Sequence, residues 1–126
     1  MMEGLNSKFH FYFEYKEFDS PDVEGSYEKM DVEFLNKLAD AREIAKIAFK
    51  ITSGYRTPAH NEKIGGVRQS SHCLGYAADI YAPTSRQKLI IVDSLLKAGF
   101  HRIGVSKNFI HVDSDPTKPE MVMWTY

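Results

Sequence analysis

An acid inside an apolar run sets the strongest limit on how this chain can fold. The segment Tyr76-Ala77-Ala78-Asp79-Ile80-Tyr81 has the short, apolar and aromatic character of a strand, entered through a turn at Gly75. A carboxylate desolvated in the middle of such a strand costs several kcal/mol, on the order of what an unpaired buried charge demands, unless a cation meets it. Asp79 therefore requires a partner. A second run, Phe109-Ile110-His111-Val112-Asp113, alternates His111 and Asp113 against Ile110 and Val112, so both polar side chains project from one sheet face. His72 precedes Asp79 across the glycine turn. Two imidazoles and a carboxylate are the ligand types that hold a catalytic zinc through three protein bonds and leave a fourth position open for water. A lone strand histidine has a plainer reading, as a hydrogen-bonded core or surface residue. The combination favours a Zn2+ hydrolase.

Length and charge narrow the field. With 126 residues, 43% of them hydrophobic, the chain is one domain, residues 1–126, with enough apolar content to bury a core. No stretch approaches the roughly 20 apolar residues of a membrane span, so a soluble protein is expected. A net charge of −1 with scattered basic residues gives no phosphate-binding face, which argues against nucleic acid as a partner. We read the chain as a monomer. Met1 to Lys8 lacks the basic-then-apolar pattern of a signal peptide, so the protein is expected to start in the cytoplasm. The one cysteine, Cys73, excludes an intramolecular disulfide and a cysteine-rich zinc site. Its place beside His72 raises a role as fourth ligand or nucleophile, but adjacent side chains diverge on most backbones, and a small buried residue is the expectation.

The remaining elements follow from periodicity and punctuation. Phe9, Phe11, Phe13 and Tyr15 alternate with polar residues, predicting an extended edge segment over Phe9 to Phe18 that covers the sheet. Asp31 reads as an N-cap for a helix running to about Phe49, with Val32, Leu35, Leu38 and Ala39 as its apolar stripe. Lys50 to Ser53 reads as a short strand that places Arg56 just past its end, where loop backbone can face a ligand. A glycine-containing connection from Pro58 to Gly66, with one helical turn at Ala59 to Lys63, forms the cleft rim. Pro83-Thr84-Ser85 starts a helix with a stripe of Leu89, Val92, Leu95 and Leu96, capped at Gly99. His101 to Val105 and Asn108 to Asp113 form a hairpin delivering His111. Met121 to Tyr126 is a closing strand, and Trp124 is the aromatic most worth watching as a cleft wall. His10, His60 and His101 are not proposed as ligands.

The ordered set Ser53-Gly54-Tyr55-Arg56-Thr57-Pro58, Asn61, Gly65-Gly66, Ser70, His72, Gly75, Ala77, Asp79, Gly99-Phe100, Ile103-Gly104, His111 and Asp113 resembles the zinc D-Ala-D-Ala carboxypeptidases and their phage endolysin relatives. The resemblance runs from about Phe13 to Tyr126. It implies an α+β fold, a small mainly antiparallel sheet with helices packed on one face, of the type shared by hedgehog signalling domains and DD-peptidases. It implies Zn2+ held by His72, Asp79 and His111, with Arg56 in the site and Ser70 helping to bind substrate. The implied substrates are peptidoglycan stem peptides, cut as a D-Ala-D-Ala carboxypeptidase or as an endopeptidase between L-Ala and D-Glu. Such a substrate lies outside the cytoplasm, which implies release through a pore, carriage on a phage particle, or action on cytoplasmic peptides. A non-catalytic zinc module and a phage structural component keeping the fold are the alternatives.

One position departs from the family pattern. Three residues before His111, where many members carry an acidic general base, stands Asn108. A neutral amide cannot take and return a proton at pH 7, so another carboxylate has to serve. Asp113 is the leading candidate because it shares a strand face with His111. Its alternative role is to orient a liganding imidazole, which would leave Glu62, Asp115 or Glu120 to be considered.

Overall fold

The five strands of the computed structural model, which describes residues 2–126, form a single sheet in the order β1-β2-β4-β3-β5. They are β1 (Ile51–Ser53), β2 (Ala77–Tyr81), β3 (Arg102–Val105), β4 (Phe109–Asp113) and β5 (Val122–Thr125). All neighbours are antiparallel except β3 and β5, which run parallel. Four α-helices accompany them: α1 (Ser7–Tyr12), α2 (Val32–Ala45), α3 (Pro58–Lys63) and α4 (Ser85–Lys97). This is the expected small α+β architecture.

Strand alternation divides the sheet into two unlike faces. Ala78 and Ile80 of β2, Ile110 and Val112 of β4 and Ile103 of β3 are all buried on the helix side. There α4 packs against β4 and α2 against α4, with Phe34 and Phe100 meeting edge to face at 5.5 Å. The opposite face carries Asp79, His111 and Asp113. Two helix starts agree with the sequence: Asp31 accepts a hydrogen bond from Phe34 N and Thr84 from Gln87 N. The helical turn expected at Ala59 to Lys63 begins one residue earlier, capped by Thr57, which accepts from His60 N. The predicted hairpin is present, as is the closing strand, which adds to the far side of β3.

Three expectations need correction. The Phe9–Phe18 segment is not an extended edge. Asn6 caps a helical turn over Ser7–Tyr12, and a 3-10 turn follows at Tyr15–Phe18. Aromatics at every second position satisfy a period of two and a spacing of four alike. The buried pair Phe9 and Phe13, whose rings lie 5.6 Å apart, decides for the helix and leaves Phe11 exposed. These rings and Phe18 form an aromatic cluster that joins the buried core, and the 3-10 turn packs beside β1, so the segment covers the sheet edge in helical rather than extended form.

Helix α2 stops at Ala45, four residues short of the expected end, because Lys46 takes a left-handed conformation (φ 59°) and turns the chain so that Phe49 enters the core. The stripe on α4 is rotated from that expected. Ile91, Ser94 and Leu95 are buried while Leu89 and Leu96 are exposed. The continuous run Leu89-Ile90-Ile91-Val92 offers apolar surface all round, so packing selects the face.

Candidate metal centre

Strand register builds the site as a row across the sheet. Ser53 pairs with Asp79, Asp79 with His111, His111 with Gly104, and Gly104 with Trp124, so one transverse line crosses all five strands. A bulge between Ile51 and Ser53 brings Ser53 into line with Asp79. Gly104 is required by its neighbour, because a Cβ there would lie 2.7 Å from the Trp124 indole nitrogen. Without that Cβ the indole folds over β3 and its ring centre comes within 5.4 Å of the His111 ring. Trp124 is thus the cleft wall that the sequence singled out.

His72 reaches the row from outside the sheet. It sits in a 3-10 turn, Ser71–Leu74, whose cap Ser70 accepts a hydrogen bond from His72 N at 3.2 Å. Gly75 ends the turn with φ +81°, and a side chain there would collide with the Lys29 carbonyl at 2.0 Å, so glycine alone lets the chain pass from this turn into β2.

Three acceptor atoms then converge. His72 Nε2 lies 3.2 Å and His111 Nδ1 2.9 Å from Asp79 Oδ1, and one ligand atom from each residue lies within 4.8 Å of the others. The far ring nitrogens are already engaged: His72 Nδ1 is 2.7 Å from the Gly54 carbonyl and His111 Nε2 is 2.7 Å from Asp113 Oδ2. A carbonyl and a carboxylate can only accept, so each far nitrogen carries the proton and the near nitrogens of neutral imidazoles present lone pairs. Two lone pairs and a carboxylate facing one another need a cation between them. Ligand bonds of about 2.0–2.1 Å in a tetrahedral site place donor atoms about 3.3 Å apart, close to the 3.2 and 2.9 Å that separate the two ring nitrogens from Asp79 Oδ1. The donor set fits a divalent metal, and each imidazole has the outer partner that fixes a metal ligand's orientation.

Electrostatics carry the same sign. Burial opposes the charged form of Asp79, but with no metal bound an extra proton on His111 and His72 takes the cation's place, and the hydrogen bonds and charge of the protonated rings hold its carboxyl far below the ordinary range. Burial would lower the His111 pKa, yet a carboxylate at each ring nitrogen, Asp113 and Asp79, raises it by favouring the doubly protonated ring when no metal is bound. The centre between these three residues attracts positive charge.

The centre opens into a cleft of about 410 Å³. Arg56 lies on its wall, with Nε donating to Ser53 Oγ (3.0 Å), Nη1 to Asn61 Oδ1 (3.2 Å) and Nη2 to Asp79 Oδ2 (3.4 Å). Ser70 also lines the cleft, as do Trp124 and Tyr126. Asp113 is present but fully engaged. Its Oδ1 accepts from Arg102 Nε at 2.6 Å and Asp115 N at 3.2 Å, and its Oδ2 from His111. The other acids named from the sequence stand elsewhere. Glu62 lines a neighbouring cavity with Cys73, Asp115 is buried beneath Lys118, and Glu120 lines a small cavity with Lys37. Cys73 is half-buried rather than buried, outside the cleft lining, and burial pushes its thiol pKa up, away from an activated nucleophile. Its neighbour His72 turns into the centre while Cys73 faces the other cavity.

Sequence reasoning missed Arg102, Lys118 and the clamp formed by Asn61. Arg102 had a signal, since Arg102 and Gly104 alternate with Ile103 and Val105 and so share the polar face. Asn61 is buried, bonding Arg56 through Oδ1 and the Val67 carbonyl through Nδ2 (2.9 Å). Nothing in the local sequence marks Lys118, whose place depends on a loop returning to the cleft.

A family model described as Peptidase M15 matches residues 12–113, which contain all three convergent residues together with Arg56, Ser70 and Asp113. No curated protein matches the chain.

Proposed function

The chain belongs to the peptidase M15 family, a family of metal-dependent peptidases, and we propose that it is a zinc peptidase acting on the stem peptides of bacterial peptidoglycan. The observation that carries this reading is the convergence of His72 Nε2, Asp79 Oδ1 and His111 Nδ1 with both far ring nitrogens already tied. In the proposal these three hold Zn2+, which when bound supplies Lewis acidity to polarise a peptide carbonyl and acidify a water. Among the described residues no fourth His, Cys, Asp or Glu joins the cluster, which favours an open catalytic site over a closed structural one.

The remaining residues act on the substrate and on the ligands. Arg56, locked by Ser53, Asn61 and Asp79, presents a permanent charge to the cleft and binds a substrate carboxylate or the developing oxyanion. Ser70 accepts from His72 N, leaving its hydroxyl proton for a substrate carbonyl. Asp113 holds the His111 proton at Nε2 and so keeps Nδ1 facing the centre. Apart from Asp79 it is the only carboxylate lining the cleft among the described residues, so it is also the one candidate side chain there for taking the water's proton. Its three hydrogen bonds favour the orienting role.

The test is incubation of the zinc-loaded protein with purified muropeptides and identification of products by mass spectrometry. Loss of a terminal D-Ala assigns carboxypeptidase action, and a split after L-Ala assigns endopeptidase action. Bound zinc with no product overturns the peptidase reading in favour of a non-catalytic zinc module.

A further inference from the structure

Three cations line the cleft, and each stands in front of a carboxylate that solvent hardly reaches. Arg56 pairs with Asp79 at 3.4 Å, Arg102 with Asp113 at 2.6 Å and Lys118 with Asp115 at 3.6 Å. The side chains of the cations are 15%, 11% and 29% exposed, against 9%, 1% and 0% for their partners. The wall therefore shows its positive ends outward, and buried carboxylates offset their charge from behind. Such a surface selects anionic groups.

The three cations differ in what they have left to offer. Arg56 makes one bond through each of its three nitrogens, which leaves two of its five N–H donors for the substrate carboxylate or oxyanion. Arg102 bonds Asp113 and the Pro119 carbonyl, its guanidinium lies 5.1 Å from the Trp124 ring centre, and it is the least exposed of the three, whereas Lys118 is the most exposed. Lys118 Nζ donates to the Gln69 carbonyl at 3.0 Å and to Ser71 Oγ at 2.9 Å, while its separation from Asp115 exceeds hydrogen-bond length. An ammonium has three donors, so one remains. Its position is held from below, because Ser71 Oγ donates in turn to Asp115 Oδ2 at 2.7 Å, and Asp115 is fixed by Thr117 N and Oγ1. Ser71 adjoins His72 and both line the cleft, which sets the ammonium beside the metal centre.

We propose that Lys118 is a specificity-determining residue that receives a free carboxylate of the bound peptide next to the metal centre. The inference rests on the peptidase reading and adds a substrate requirement to it: peptides that present a carboxylate at this point bind, and their amides bind poorly. Two carboxylates of a stem peptide have this chemistry, the C-terminal one and the free one of its acidic residue. The competing role for Lys118 is a tie between the 115–120 loop and the 69–71 loop. That tie would not distinguish a carboxylate from an amide.

The test uses three reduced-amide peptide analogues, which cannot be hydrolysed: both carboxylates free, the C-terminus amidated, or the acidic residue amidated. Their binding to zinc-loaded wild type, Lys118→Met and Lys118→Arg is measured by calorimetry, and hydrolysis of the parent peptides by wild type is read in parallel. One of the two amidations is expected to weaken wild-type binding by about tenfold, and which one names the carboxylate. Lys118→Met should bring that ratio to within about twofold, and Lys118→Arg should keep most of it. Each ratio is taken within one protein, so a loss of folded fraction does not alter it. Equal wild-type binding of all three analogues, no binding of any, or an undiminished ratio in Lys118→Met overturns the proposal. Wild-type hydrolysis without a ratio overturns it and leaves the peptidase reading standing, whereas a Lys118-dependent ratio without hydrolysis does the reverse.

Discussion

The two faces of the five-stranded sheet are built from alternate residues of the same strands and do opposite work. On the helix side, Ala78, Ile80, Ile103, Ile110 and Val112 are buried against α2 and α4, and each removes apolar surface from water. On the cleft side, Asp79, His111 and Asp113 are as well buried, yet every one carries polar atoms that burial penalises. The first face stabilises the fold by area alone and tolerates repacking. The second is stable only as a complete network, where each atom has its partner and a cation completes the centre. Neighbouring residues, one peptide unit apart, therefore answer to different rules, and substitutions should separate them.

The largest effect is expected on the cleft face. Asp79→Asn keeps the side-chain volume but removes the charge, so zinc content should fall towards background and muropeptide hydrolysis by at least about 10³-fold. Elemental analysis and product mass spectrometry check this. If the metal-free variant melts far below metal-free wild type, the cleft face contributes more to folding than the comparison allows. On the other face, Ile110→Ala should lower unfolding stability by about 3 kcal/mol in denaturant titration through lost burial and a residual cavity. Zinc per folded molecule should stay at the wild-type value. A parallel loss of metal would show that the faces are coupled through β4.

Arg56→Ala sharpens the comparison within the cleft, because Arg56 stands at the wall and is not a member of the convergent trio. It should leave zinc bound and lower kcat/KM by about 100-fold, the cost of one transition-state donor. Unaltered kinetics would reduce Arg56 to a structural clamp on Asp79. Asp113→Asn should weaken zinc binding by about tenfold, as loss of an outer partner does, with turnover of the zinc-saturated protein largely kept. Loss of most turnover with zinc affinity intact would make Asp113 the proton acceptor instead.

The smallest effect concerns Asp115. Burial raises its pKa, but hydrogen bonds from Thr117 and Ser71 and the nearby Lys118 charge lower it further, below its ordinary value. A carboxyl depressed in the folded state contributes stability above its unfolded pKa of about 3.9 and loses that contribution as pH falls through the folded pKa. Asp115→Asn should therefore melt slightly below wild type at pH 7, and the gap should narrow as pH falls below about 4. A gap independent of pH would assign the effect to packing.

Much of the centre is legible from order along the chain. An acid inside Tyr76–Tyr81 demands a cation wherever the strand lies, and the alternation in Phe109–Asp113 puts His111 and Asp113 on one face for any sheet. Capping residues Asp31 and Thr84 mark helix starts because their side chains act on backbone three residues away. These are local facts. Where the local pattern is ambiguous, packing decides: the aromatics of Phe9–Phe18 fit two periods, and the all-apolar run on α4 fits several faces.

What only the tertiary structure decided are relations between residues far apart in sequence. Register alone lines up Ser53, Asp79, His111, Gly104 and Trp124, and a slip of one residue would send each side chain to the helix side. Which nitrogen of each histidine faces the centre follows from Gly54 and Asp113, groups that become partners only after the strands have paired. Lys118 enters the cleft by a loop with no periodicity to read, and its place is fixed by Gln69, Ser71 and Asp115. Sequence determines which chemistry the chain carries and on which local face, because propensity and alternation act over a few residues. Distance between side chains is set by strand register and loop closure, which sum contributions from the whole chain.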